Sequence, residues 1–273
     1  MQSKQSKQTK TNRAGIWGPI DLEKDSQYRW RIGPLLLWAE RLPQEVRVSY
    51  KSGTDPSEST VSGPDKEIEP IPEEIVTTRF ASGEMNGRLL FEPALADRNT
   101  VVRPDTPFSL LPGGNIDLFI TTPLWLRVGA RKPKQDLLDI PTFRPSDTWF
   151  GPSTIEGELC YAGRTHARLT LEKVDRHATR AITVIRLKNL TEDPMEIDKV
   201  NIPIPHLALY AADDGTFWTQ GVSATWTKDE DRARVTLQRG SPPESKGAKL
   251  VSPPRRKESP NIMVRAVWKL LMR

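Results

Sequence analysis

Proline sets the strongest limit on what this chain can fold into. Through its middle it recurs every few residues, at Pro93, Pro104, Pro107, Pro112, Pro123, Pro141, Pro145 and Pro152. An interior proline lacks the amide donor and clashes with the preceding turn, so such spacing leaves no room for helices of ordinary length. With 24 prolines in 273 residues, the share is roughly twice the usual ~5 per cent. Strands and turns remain. Val46, Val48 and Tyr50 alternate with polar residues, as do Ile116, Leu118 and Ile120, and Leu169 and Leu171. This is the period of a half-buried strand. Pro112-Gly113-Gly114 and Asp214-Gly215 mark turns between such runs. The pattern predicts an all-β, mainly antiparallel fold, built as two linked β-sandwich units or one extended sandwich. A βαβ rhythm, a phosphate-binding glycine loop and an internal repeat are all missing.

The expected organisation runs in five parts. Residues 1–13 form a basic flexible tail, and 14–130 an N-terminal β domain. The acidic, Pro- and Ser-rich stretch 53–74 reads as a mobile loop within that domain. Residues 146–240 form a C-terminal sandwich, with the boundary between the units near 130–146. Residues 241–260 are a basic, proline-rich linker, and 261–273 a short amphipathic helix. Charge follows the same division. The formal net charge is +5, but 1–13 carry +4 and 246–273 carry +7, which leaves −6 on the body. An acidic body speaks against a basic nucleic-acid groove, so nucleic acid is not an expected partner.

The single cysteine excludes an intramolecular disulfide. The polar, basic start MQSKQSKQTKTNR has no apolar core of a secretory signal, and no stretch approaches the ~20 apolar residues of a membrane span. A cytoplasmic location is expected, with peripheral contact to an anionic membrane surface through the C-terminal segment. In the last segment Arg265, Lys269 and Arg273 fall at helical spacing in one cationic stripe, beside an apolar surface that includes Trp268. Thirteen residues make a helix of about 20 Å, suited to lying on an interface. Arg255, Arg256 and Lys257 add three adjacent cations on the tether. These seven residues are the expected contacts to a partner or to an anionic membrane surface.

The stretch SDTWFGPSTIEGELCYAG (146–163) holds the residues most suggestive of chemistry. Cys160 with His166 could form a thiol–imidazole pair, and Asp147, Glu156 and Glu158 an acid/base pair. A buried small cysteine and a solvated strand rim give the same pattern, and neither a second base nor an oxyanion motif supports catalysis. Asp147, Trp149, Phe150, Glu158, Cys160, Tyr161 and His206 are therefore read as a structural signature. His166, His177, His206 and Cys160 lack zinc spacing. No metal and no cofactor is expected. Trp30, Trp38, Trp125, Trp149, Trp218 and Trp226 lie in strand or turn contexts, where tryptophan fills cores more often than it stacks on sugars.

The phrases WGPIDLE, RWRIGPLLLW, LADRNTVVRPDTPFSLLPGG, ITTPLWLRV, SDTWFGPSTIEGELCYAGRTHARL, IPIPHLALY and FWTQGVSATW occur in order. Over about residues 15–253 the chain resembles the prokaryotic family called domain of unknown function 432. The resemblance implies a prokaryotic protein and brings no catalytic role for Asp147, Glu158 or Cys160. An association of that family with genes for mechanosensitive channels implies an accessory role near the inner membrane. The resulting expectation is a non-enzymatic, cytoplasmic accessory or regulatory protein that binds another protein, with an inner-membrane channel as candidate partner. A small-molecule or glycan-binding module and a hydrolase centred on residues 146–166 are the alternatives.

Overall fold

The computed structural model describes residues 16–66, 70–72, 75–81, 87–130, 135–151, 153, 155–163, 166–228 and 233–257. The expected tail 1–13 and helix 261–273, with Arg265, Trp268, Lys269 and Arg273, lie outside the described residues. Within them the all-β, mostly antiparallel expectation holds. More than half is strand, and no helix reaches seven residues.

Two sheets enclose the first core. One has the order β5 (Val61–Asp65), β2 (Ser26–Ile32), β3 (Leu35–Arg41), β4 (Glu45–Ser52), β6 (Val76–Ala81). The other runs β1 (Gly18–Asp21), β7 (Arg88–Ala94), β11 (Trp125–Ala130), β12 (Gln135–Pro141). Period-2 alternation decides what each strand buries. On β2, Tyr28, Trp30 and Ile32 point inward while Gln27, Arg29 and Arg31 stay at the outer face. Leu37, Ala39, Val46 and Val48 meet Leu89, Phe91, Leu126, Val128 and Ile140 from the facing sheet. Trp30 is fully buried, with its ring centroid 5.1 Å from that of Phe91 and 6.0 Å from that of Tyr28.

The second core lies under a seven-stranded sheet. Its order is β21 (Arg234–Leu237), β20 (Val222–Thr227), β15 (Arg180–Leu190), β19 (Phe217–Thr219), β18 (Leu209–Ala211), β22 (Lys249–Ser252), and β10 (Asn115–Pro123) also pairs with β15. β15 is buried on both faces. Ala181, Ile185 and Leu187 face the large core, and Ile182 and Val184 a smaller one with Phe119 and Trp218. Burial on both sides explains the continuous apolar run at that strand. A four-stranded sheet, β13 (Asp147–Phe150), β14 (Glu158–Ala162), β8 (Thr100–Val102), β17 (Val200–Ile202), lies beside it, and β16 (Met195–Ile197) and β9 (Phe108–Leu110) form a ribbon.

Three expectations change. First, the chain does not pass from one unit to the other once, near 130–146. The first core takes residues up to Phe91 and again Leu126–Ile140 on β11 and β12, while Ala94–Trp125 belongs to the second core. The nine-residue pairing of β10 with β15 ties the two halves of the sequence together. Second, the stretch 53–74 contains β5, paired with β2, and Arg29 reaches Asp65 at 3.3 Å. An edge strand satisfies backbone groups without burying large side chains, so a polar composition hides it. Third, the linker 241–260 contains β22, paired with β18. The hydroxyl of buried Ser252 donates to Pro93 O (2.8 Å), and Arg255 Nε donates to Leu95 O (2.5 Å). The Arg255 guanidinium also pairs with Asp139 of β12. Arg255 is thus a latch between the chain's end and the first unit, not a free tether cation.

Candidate functional site

The signature folds into a hairpin. β13 and β14 pair in register Asp147↔Tyr161, Thr148↔Cys160, Trp149↔Leu159 and Phe150↔Glu158. The connecting turn is organised by Ser153, whose Oγ accepts from the amides of Ile155 (3.3 Å) and Glu156 (2.9 Å). Trp149 Nε1 donates to Ser153 O at 2.7 Å, which lays the indole along the turn. A Cβ on Gly157 would run into that indole and the Phe150 carbonyl, and one on Gly151 into the Glu156 carbonyl. Only glycine lets the turn close this tightly. β13 ends the sheet order and, among the described residues, has one neighbour, β14.

The two faces of the hairpin differ. On one, Phe150 and Cys160 join Val101 in a small buried core, with Lys199 Nζ 5.7 Å from the Phe150 ring centroid. Glu158 stands at its rim. Asn99 Nδ2 donates to both Glu158 oxygens (3.0 and 3.1 Å), and Asn201 Nδ2 to one of them (2.6 Å). On the other face Tyr161 packs against Trp125 (centroids 5.7 Å apart) and donates its hydroxyl to Asp97 at 2.9 Å. The guanidinium groups of Arg98 and Arg144 lie 5.3 and 5.9 Å from the Tyr161 ring centroid, and both bond to Asp147 at 3.2 Å. Further along that face Trp149 and Leu159, cross-strand partners, are 46% and 48% exposed, and Ile155 at the tip is 91% exposed.

The electrostatics favour structure over catalysis. Burial first, and the Glu158 charge second, push the Cys160 thiol up to about 12. A nucleophilic cysteine needs the opposite, a thiolate held by nearby cations. The sulfur lies 3.7 Å from Glu158 O and 3.8 Å from Asn201 Oδ1, while His166 Nδ1 faces Asp105 at 3.9 Å. The thiol–imidazole pair considered from the sequence is not among these contacts. Burial, followed by the bond to Asp97, raises the Tyr161 phenol. The Asp147 charge beside Arg144 raises that guanidinium above its usual range.

The other expected site residues are spread over the fold. His206 ends a single 3-10 turn, Ile204–His206, and its Nδ1 is buried without a partner among the described residues. It makes no hydrogen bond to the hairpin cluster. Arg256 and Lys257 are exposed, while Arg255 is the latch described above. Trp30, Trp125, Trp218 and Trp226 are core residues. Among the described residues no group of three or more His, Cys, Asp and Glu side chains could hold a metal ion, and no helix is long and apolar enough to cross a membrane.

Asp97, Arg98, Asn99, Arg144 and Asn201 hold the signature together but were not singled out from the sequence. They sit 43 to 64 positions from the residues they bind, except for Arg144, which is three from Asp147. Only the polar triplet Asp97-Arg98-Asn99 at a strand entrance hinted at them.

No curated protein and no solved structure matches the chain. A family model does, over residues 16–273, and its description is Protein of unknown function (DUF432). With nearly the whole chain matched and an all-β fold carrying the family's signature as an ordered hairpin, this protein belongs to the DUF432 family.

Proposed function

We propose that the protein is a non-enzymatic accessory factor that binds another protein through the β13–β14 hairpin, with an extended apolar segment of the partner adding to the outer edge of β13. One observation carries the reading. Trp149, Ile155 and Leu159 stand exposed together on an edge hairpin whose charged groups are already engaged. Large apolar side chains clustered on a strand with an open edge suit a protein interface, where backbone pairing supplies affinity and side chains specificity. The paired charges leave little for a charged ligand to grip, so an uncharged, apolar strand fits best. An inner-membrane channel is the partner class that the family resemblance implies. Exposed Arg256 and Lys257 would add attraction to an anionic surface beside it.

Full-length tagged protein purified from membrane and soluble fractions should carry a reproducible partner, and a variant with Trp149→Ala and Leu159→Ser should lose it. A central tryptophan of an interface typically contributes at least ~2 kcal/mol, about thirtyfold in affinity. Both side chains are half exposed, but Trp149 also bonds to Ser153 O across the turn, so the variant should stay folded and melt a few degrees below the wild type. An unchanged set of co-purifying proteins would overturn the proposal.

A further inference from the structure

The latch at the chain's end and the hairpin are joined by two short stretches of chain, and Arg255 holds both at their roots. Its Nε donates to Leu95 O (2.5 Å) and its Nη2 to Asp139 Oδ1 (2.9 Å). From Leu95 the chain continues through buried Ala96 to Asp97, Arg98 and Asn99. From Asp139 it continues through buried Ile140 and Thr142 to Arg144 and Ser146. These two stretches supply the clamp on the hairpin. Asp97 accepts from the Tyr161 hydroxyl, Arg98 and Arg144 bond to Asp147, and Asn99 donates to Glu158. The backbone repeats the pattern: the Tyr161 amide donates to Asn99 O and the Ala162 amide to Ser146 O, each at 2.8 Å.

The ring of Tyr161 rests on Trp125, which lies between the same stretches. Trp125 pairs with Ala94 at the end of β7 and with Pro141 at the end of β12. Arg255 thus spans β11, from the chain leaving β7 to a carboxylate of β12. A guanidinium suits this task, because its planar fork holds a carbonyl and a carboxylate at a fixed separation. Only 14% of its side chain is exposed, so solvent screens the pair little. The strap that carries it is fixed to the second unit, by the pairing of β22 with β18 and by the Arg256 amide on Pro205 O (2.9 Å). The hairpin, by contrast, joins its own sheet over two positions, Tyr161↔Thr100 and Ala162↔Val101. With so short a ladder, the clamp decides how the hairpin sits.

We infer that Arg255 is a positioning residue for the β13–β14 hairpin. Seated, it fixes the two stretches that clamp Tyr161, and through them the pose in which Trp149 and Leu159 face outward. Withdrawn, it lets the hairpin open locally while both cores stay folded. The inference rests on the interface reading only in treating that face as a binding surface. Coupling of this kind is reciprocal, so a partner held by the hairpin also tightens the strap.

Amide hydrogen exchange, read residue by residue by NMR on full-length protein without a partner, tests it. The control is Val48→Ala, a cavity in the first core expected to lower the melting temperature about as much as Arg255→Ala does. In Arg255→Ala the Tyr161 and Ala162 amides should exchange at least about tenfold faster than in Val48→Ala. Asp139→Asn, which spares the Leu95 bond, should give a smaller acceleration, and Arg256→Ala none. A merely stabilising Arg255 would not single out the hairpin, whose amides would then exchange alike in the two destabilised variants. That result, or wild-type exchange at Tyr161 and Ala162 in Arg255→Ala, would overturn the inference. No partner takes part, so either result leaves the interface reading standing. That reading falls instead if Trp149→Ala with Leu159→Ser keeps its co-purifying proteins, an outcome that does not touch the exchange rates.

Discussion

Replacing Arg255 with alanine is expected to lower the melting temperature by about 4–8 °C, while replacing its neighbour Arg256 changes it by less than a degree or so. The two arginines are adjacent, but their surroundings differ. Arg255 donates to the Leu95 carbonyl and pairs with Asp139, with only 14% of its side chain exposed. Arg256 is exposed and contributes a backbone bond to Pro205 O, which alanine keeps. Hydrogen bonds from a charged donor contribute about 1.5–3 kcal/mol, and in a chain of this size each kcal/mol moves the midpoint by about 2–4 °C. Ending the chain after Ala248 also removes β22 and the Ser252–Pro93 bond and should cost more. Thermal unfolding followed by circular dichroism decides it. If both arginine variants melt like the wild type, the latch contributes nothing and 255–257 act as a surface cluster.

Glu158→Ala is the second large effect, expected at about 2–3 kcal/mol, or roughly 5–10 °C. The carboxylate is the acceptor for the amide of Asn201, itself 3% exposed, and for that of Asn99. Removing it leaves a buried amide unpaired, which costs more than the bond was worth. Asp147→Ala should cost less, about 1 kcal/mol or below, because its pairs with Arg98 and Arg144 are partly solvated. The comparison separates the structural reading of the signature from the hydrolase alternative. A catalytic Glu158 would be replaceable with little change in melting, at the expense of an activity. A structural one shows the loss of stability.

Much of this fold could be read from the chain because its signals were local. Proline spacing excluded helices, and the alternation at Val46, Val48 and Tyr50 and at Ile116, Leu118 and Ile120 marked real strands. Non-local pairing escaped. β10 and β15 are joined across some 60 residues, and β11 and β12 return to the first unit after β8–β10 have left it. Hydrophobic period reports which face a strand buries, not which strand it joins. β5 and β22 were missed because strands such as Val61–Asp65 and Lys249–Ser252 bury little and resemble loops in composition. The residues of the signature could be singled out by their types. Its mechanical logic could not be read there, since Asn99, Asn201, Arg98 and Asp97 come from distant segments. Arg255 was misread for a related reason, as a basic, proline-rich context looks like a tether until Leu95 and Asp139 are seen beside it.

Photocrosslinking inside cells tests most directly whether the open side of β13–β14 is a protein interface. A photoreactive amino acid would replace Leu159, and in a separate strain Leu169, which is 56% exposed outside the hairpin. A discrete adduct with one protein is expected from position 159, absent from position 169 and lost when Trp149→Ala is added. No adduct from 159, or the same adduct from both positions, would contradict it.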